Sequence, residues 1–224
     1  MDILNVTYMV ELVPILLRYL PLTLQMATLG MALALILACG LAVVRVLEIP
    51  VINRLTILFI SFFRGTPLLV QLFLFYYGLP QLMSSMTSID GVTATIMGLT
   101  MHFSAYMAES IRAAIVGVDR NQTEAALSIG MTNAQLMRRI ILPQATRVAV
   151  PTLMNYFIDM IKSTSLAFTL GVTELMGATQ KEAASSFLYL EAFIVVAIFY
   201  WVIVEMLSWV QHHLEHRLNK AYSR

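Results

Sequence analysis

Residues 124–143 read "EAALSIGMTNAQLMRRIILP", a polar, arginine-bearing island between very apolar neighbours. Asn121 stands three residues before Glu124, the spacing at which an Asn side chain caps a helix and an acid reaches back to it. Gly130 follows Ser128-Ile129, where a helix-ending glycine belongs. Thr132 and Gln135 repeat the spacing as Thr-x-x-Gln and predict a second start. Arg138 and Arg139 follow, and Pro143 predicts a break. The island is expected as two short capped helices joined at a glycine, over about 119–143. Ala125 and Ala126 give the first a small-residue patch open to close approach. A plain connector would be much shorter. The spacing alone leaves two readings, a tidy loop or a rigid knob gripped by a partner.

The flanks decide where the island sits. Of 224 residues, 59% are hydrophobic and 12% charged, against about 25% charged in an ordinary soluble domain. With a mean hydropathy of +0.79, this composition predicts an all-α integral membrane protein, one domain over 1–224. A net charge of +1 excludes a basic surface for nucleic acid. The single cysteine, Cys39, excludes a disulfide or cysteine-metal framework within one chain, and no metal site is expected. The first residues, "MDILNVTYMVELV", carry Asp2 and Glu11 in place of a basic stretch, so no cleavable signal peptide is expected. About 20 mostly apolar residues make a span, and five such runs occur: 20–44, 59–83 with Pro67, 92–116 with His102 and Glu109, 148–170 with Asp159 and Lys162, and 188–210 with Trp201 and Trp209. They are continuous, not alternating, which argues against a barrel.

Lysine and arginine set the orientation. Arg45, Arg54, Arg112, Arg120, Arg138, Arg139, Arg147, Arg217, Lys220 and Arg224 fall on one side, and only Arg18 and Lys181 on the other. The N-terminus is therefore expected outside, with the island and the C-terminus in the cytoplasm.

Glu124-Ala125-Ala126, Gly130, Ile140, Leu142 and Pro143 together resemble the EAA motif of ABC importer permeases. "FRGTPLLVQLFLFYYGLP" (63–80), "SAYMAESIRAAI" (104–115) and "IKSTSLAFTLGVTEL" (161–175) are similar to the polar amino-acid branch of that family, and the likeness covers nearly the whole chain. The subgroup nearest in look is the L-cystine permeases. One departure is visible: relatives often read Lys-Asp-Thr-Ser where this chain has Lys162-Ser163-Thr164-Ser165, with Asp159 one helical turn earlier. The resemblance implies a five-span permease subunit of a bacterial inner membrane that imports a polar amino acid. It would pair with a second permease chain, more readily an identical copy. Two ATP-binding subunits would hold ATP and Mg and receive the island through Glu124, Ala125, Ala126 and Gly130. An external solute-binding protein would deliver substrate. Independently, the chain has no G-x-x-x-x-G-K-[ST] phosphate loop, so neither ATPase activity nor a cofactor of its own is expected.

Ionisable residues at membrane depth usually face a protein interior or a cavity. His102, Ala105, Tyr106 and Glu109 share one helical face, as do Asn155, Asp159, Lys162 and Ser163. Arg64 and Gln71 flank the "RGTP" break, where Gly65 and Pro67 predict a helix that restarts. An amino acid is a zwitterion: Glu109 or Asp159 would answer its ammonium, and the restart or Arg64 its carboxylate, although Arg64 reads better as a cytoplasmic-side anchor. The other reading pairs Glu109 with Arg112 and Asp159 with Lys162, each three residues along one helix, which makes both acids structural. The spacing leaves both open. His212, His213 and His216 read as part of an amphipathic tail. Two other classes were weighed. An ion-coupled secondary amino-acid carrier would suit the charges, but no internal repeat is evident and the island would go unexplained. An intramembrane enzyme would need partners that His102 lacks.

Overall fold

In the computed structural model, which describes residues 4–82 and 89–220, the first apolar run forms a much longer helix than expected. α1 covers Val6–Leu47, 42 residues, about 63 Å at ~1.5 Å per residue. Asn5 caps it, accepting from the Tyr8 N–H at 3.1 Å. Glu11, Arg18, Pro14 and Pro21 hid its first turns from hydropathy, yet Leu12 and Leu16 there are buried. Further along, Ala27, Gly30, Ala34, Ala38 and Ala42 form a buried stripe at helical spacing. Small residues let helices approach closely, and a β-carbon on Gly30 would lie 3.1 Å from the Met160 sulfur and 3.5 Å from Leu99 Cβ.

The second run is broken as predicted. α2 (Ile52–Gly65) stops, Thr66 is extended, and α3 (Leu68–Phe73) restarts after Pro67. It continues through a π-helical turn, Leu74–Gly78, into α4 (Leu79–Leu82), and the two halves are bent by 110°. α5 (Gly91–Val116) makes its most extensive contacts with α1. Met83, where the second run was expected to end, lies outside the described residues, as do Asp2 and Arg224 and the side chain of Lys220.

In the island, two expectations are corrected and two stand. The cap of α6 (Arg120–Ser128) is Asp119, not Asn121: its side chain accepts from the Asn121 N–H at 2.9 Å. Aspartate two residues upstream wins because the chain already turns there. Gly130 has φ +84°, the left-handed conformation that costs glycine least. The Met131 N–H reaches the Ala126 carbonyl at 3.1 Å, and the Gly130 N–H that of Leu127 at 2.9 Å, the paired bonds of a Schellman ending. The Thr132/Gln135 capping box is present in both directions and starts α7 (Asn133–Leu136). The break expected at Pro143 is absent. A π-helical turn, Met137–Ile141, carries α7 straight into α8 (Leu142–Ser163), where Pro143 sits in the first turn.

α8 tightens into a 3-10 segment, Thr164–Leu170, which Gly171 ends at φ +80°. Between the fourth and fifth apolar runs lies a helix too polar to stand out in the sequence, α9 (Leu175–Ser186), capped by Glu174. α10 (Tyr189–Lys220) closes the fold against α9, α8 and α1. One core joins α1, α2, α5 and α8 around Phe63, Leu99, Phe103, Met107 and Met160. A second joins α1, α9 and α10 around Leu16, Leu175, Ala178 and Val195. No strand occurs among the described residues. By length and hydropathy alone, α1 and α10 qualify as membrane spans, and the bent α2–α4 pair counts as a third if its two halves cross as one. α5 and α8 are 26 and 22 residues long, but their polar residues hold their hydropathy lower.

Candidate functional site

α5 and α8 run side by side, and an open cleft of 510 Å³ lies between them and the start of the 3-10 segment. Phe103, Tyr106, Tyr156 and Leu166 form its apolar wall, and His102, Asp159, Lys162, Ser163 and Ser165 its polar groups. The local sequence explains the polar end. Where α8 tightens, three consecutive hydroxyls turn back onto its carbonyls: Ser163 donates to the Asp159 carbonyl, Thr164 to Ile161 and Ser165 to Lys162, at 2.6–2.8 Å. The Asp159 and Lys162 side chains are left free to project. Their charged ends lie 2.7 Å apart, each about half exposed.

The aromatic wall is fixed from behind. The Tyr106 hydroxyl donates to the Arg64 carbonyl at 3.3 Å, and the Arg64 guanidinium stands 5.3 Å over the Tyr106 ring. The Tyr156 and Ser110 hydroxyls are 2.9 Å apart. Tyr156, on the inward face of α8, was missed from the sequence; its place one residue from Asn155 was the available signal.

Of the seven residues expected along a pathway, the cleft gathers His102, Asp159, Lys162 and Ser163. Gln71 is buried behind His102, with its Oε1 3.1 Å from His102 Nδ1. Asn155 is exposed and outside the cleft. Glu109 lies about two turns beyond His102 on α5, 2.9 Å from Arg112 Nη2 and 3.3 Å from Arg45 Nε. Arg45 also donates to Asn53 at 3.0 Å, so this knot ties α1, α2 and α5 together. The within-helix pairing considered from sequence is therefore present for both acids, but only the Asp159 pair faces open space.

The island has a different surface from the expected one. Glu124 and Ala125 are exposed, whereas Ala126 is buried against Leu136 and Ile141. The apolar side chains turned outward are Leu127 and Ile129, the latter 80% exposed. Gln144 on α8 braces α6 through a 2.6 Å bond to Gln122.

The sequence and the fold recur in known proteins. Residues 34–220 match the family model for the binding-protein-dependent transport system inner membrane component. The chain is 64% identical to the probable amino-acid ABC transporter permease protein PatM of Vibrio harveyi, over 97% of each chain. It is 39% identical to the L-cystine transport system permease protein TcyL of Bacillus subtilis, over 96% of this chain and 91% of that one. Among solved structures, an amino acid ABC transporter crystallised with histidines superposes with a TM-score of 0.89 at 34% identity, covering 96% of this chain and 99% of that one. The MetNI methionine ABC transporter shares the fold at 17% identity, with a TM-score of 0.76 over 93% and 98% of the two chains. The chain belongs to the binding-protein-dependent inner membrane component family and is an amino-acid ABC transporter permease subunit.

Proposed function

We propose that the cleft between α5 and α8 is where this permease holds its amino acid during import. The observation that carries this is the Asp159–Lys162 pair: two opposite charges, half exposed, on one wall of a 510 Å³ cleft. A zwitterion presents the same two charges, so its ammonium replaces Lys162 at Asp159, and its carboxylate replaces Asp159 at Lys162. His102 and Ser163 add polar contacts. The tyrosine wall takes the aliphatic part. Glu109, held by two arginines, braces the helices.

The wider reading keeps five spans. α5 and α8 carry their polar faces toward a second permease chain, which shields them from lipid as intramembrane charges require. The excess of arginine on the island's side puts the island and the C-terminus in the cytoplasm and the N-terminus outside. There Glu124, Ala125, Leu127, Ile129 and the Gly130 turn receive one of two ATP-binding subunits, which hold ATP and Mg, and an external binding protein delivers the substrate. The L-cystine permease among the relatives supports cystine as one substrate to test.

The experiment is uptake and melting measured together on the reconstituted complex. Asp159→Asn and Lys162→Met should each reduce amino-acid uptake at least tenfold. Losing a half-exposed pair should lower stability by less than about 1 kcal/mol. Unchanged uptake in both variants overturns the site.

A further inference from the structure

Every polar atom of the Gln71 side chain is committed, and its commitments determine what His102 offers to the cleft. The Phe63 carbonyl would receive its helical bond from residue 67, but Pro67 has no N–H. Gln71 Nε2 supplies that bond at 2.9 Å and also reaches the Thr66 carbonyl at 3.1 Å and Thr66 Oγ1 at 2.8 Å. The Thr66 hydroxyl donates its own proton to the Phe62 carbonyl at 2.8 Å, so its oxygen accepts from Gln71. A flipped amide would set its oxygen against two carbonyl oxygens, so the network fixes the orientation. Gln71 Oε1 then faces His102 Nδ1 at 3.1 Å. An amide oxygen only accepts, so Nδ1 carries the hydrogen. In neutral imidazole that leaves Nε2 as an acceptor. His102 lines the cleft, and its Nε2 has no hydrogen-bond partner among the described residues.

We infer that His102 is a specificity-determining residue of this permease: Gln71 holds it as the Nδ1-protonated tautomer, and its free Nε2 accepts an N–H from the substrate's side chain. This rests on the cleft being the amino-acid site. Asp159 answers the α-ammonium there. His102 adds a neutral ring acceptor on α5, and it favours amino acids that carry a second donor, whether amide, guanidinium or a second ammonium. Gln71 is a positioning residue, acting through the ring.

The test uses the purified permease–ATPase complex without external binding protein. Nitrogen-15 NMR of labelled histidine, with His102→Phe to assign the signal, should find His102 protonated at Nδ1. In Gln71→Met, which lacks the acceptor, the Nε2-protonated form should gain. A His102 that is Nε2-protonated in the unaltered complex overturns the inference. Affinity for L-glutamine should exceed that for its isosteric methyl ketone, L-2-amino-5-oxohexanoic acid, about tenfold, the worth of one hydrogen bond. In His102→Phe the two should bind equally. Equal binding before substitution, or a preference that survives it, overturns the inference even when Asp159→Asn abolishes binding, in which case the site itself stands. Binding untouched by Asp159→Asn overturns the site reading instead.

Discussion

Glu174 and Asp159 are both acids in apolar surroundings, and they are held in opposite ways. Glu174 is fully buried between α1, α9 and α10 with no cation paired to it among the described residues. Its carboxylate accepts from the Gly177 N–H at 2.9 Å, the Thr23 hydroxyl at 3.2 Å and the Tyr200 hydroxyl at 3.3 Å. It also sits at the N-terminus of α9, where the helix dipole favours negative charge. Thr23 accepts in turn from the Leu175 N–H at 3.1 Å. Asp159 has a cation and open space. A buried acid whose lone pairs are filled by neutral donors fastens helices, whereas an exposed ion pair can exchange partners with a charged ligand. Burial of an acid thus points to architecture here, and partial exposure of a pair points to transport.

The sharpest way to break that contrast is at Glu174. Glu174→Ala leaves two buried hydroxyls and a helix-end N–H without an acceptor and removes a cap, together about 3 kcal/mol or more. Glu174→Gln keeps one acceptor and should lose about half as much. Thermal unfolding of the purified protein checks both. An Ala variant that melts with the unaltered protein would mean that the knot holds nothing.

Glu109 lies between the extremes, with its side chain 20% exposed beside two arginines. Glu109→Gln should cost about 1–2 kcal/mol, because Arg45 and Arg112 keep some solvent. The loss should shrink in the double variant with Arg45→Gln, since residues in one network are not additive. Additive losses would separate Glu109 from Arg45.

Gly130 carries the comparison to the island. Gly130→Val meets no steric obstacle, since nothing lies within 4 Å of an added β-carbon. Its cost is the left-handed backbone, about 1–2 kcal/mol. That should reshape the surface around Ile129 and reduce the uptake obtained per ATP hydrolysed. Coupling equal to that of the unaltered complex, at equal expression, would remove the island from the contact.

What could be read in the sequence follows the reach of each signal. Caps, helix-ending glycines and proline breaks act over three or four residues, so the Thr132/Gln135 box, Gly130 and the Gly65–Pro67 break were readable. Asp119 and Asn121 offer competing caps within the same reach, and the Asn121–Glu124 spacing points to the one that the fold does not use. Helix α9 carries Thr, Gln, Lys, Glu and Ser and has no apolar periodicity. Its burial comes from small residues, Ala178 and Ala183 against α1 and α10 and Gly177 against Val172 and Phe168. The Glu174 partners lie 151 and 26 residues away, a distance no local pattern spans. In the cleft, the α8 face was visible because Asp159, Lys162 and Ser163 repeat at helical spacing. That Gln71 backs His102 depends on how α3 packs on α5 after the 110° bend.

The smallest expected effect separates burial from the absence of a cation. Asp90 does for α5 what Glu174 does for α9: it caps the helix, accepting from the Thr93 N–H at 2.7 Å, but it is exposed. Hydrogen bonds from the Thr93 side chain and then from its N–H hold the Asp90 carboxyl below the usual carboxylate value. A depressed folded value means that the contribution is complete above the unfolded value of ~3.9 and fades as the pH falls through the lower folded one. Asp90→Ala should therefore lower stability by about 1 kcal/mol between pH 5 and 7, and the gap should narrow as the medium is acidified below about pH 4. Asp90→Asn, which still caps, should stay close to the unaltered protein throughout. The excess of the Glu174→Ala loss over this one measures what burial and the Thr23 and Tyr200 hydroxyl bonds add to a capping bond, so equal losses at the two acids would leave burial without a part in the contrast.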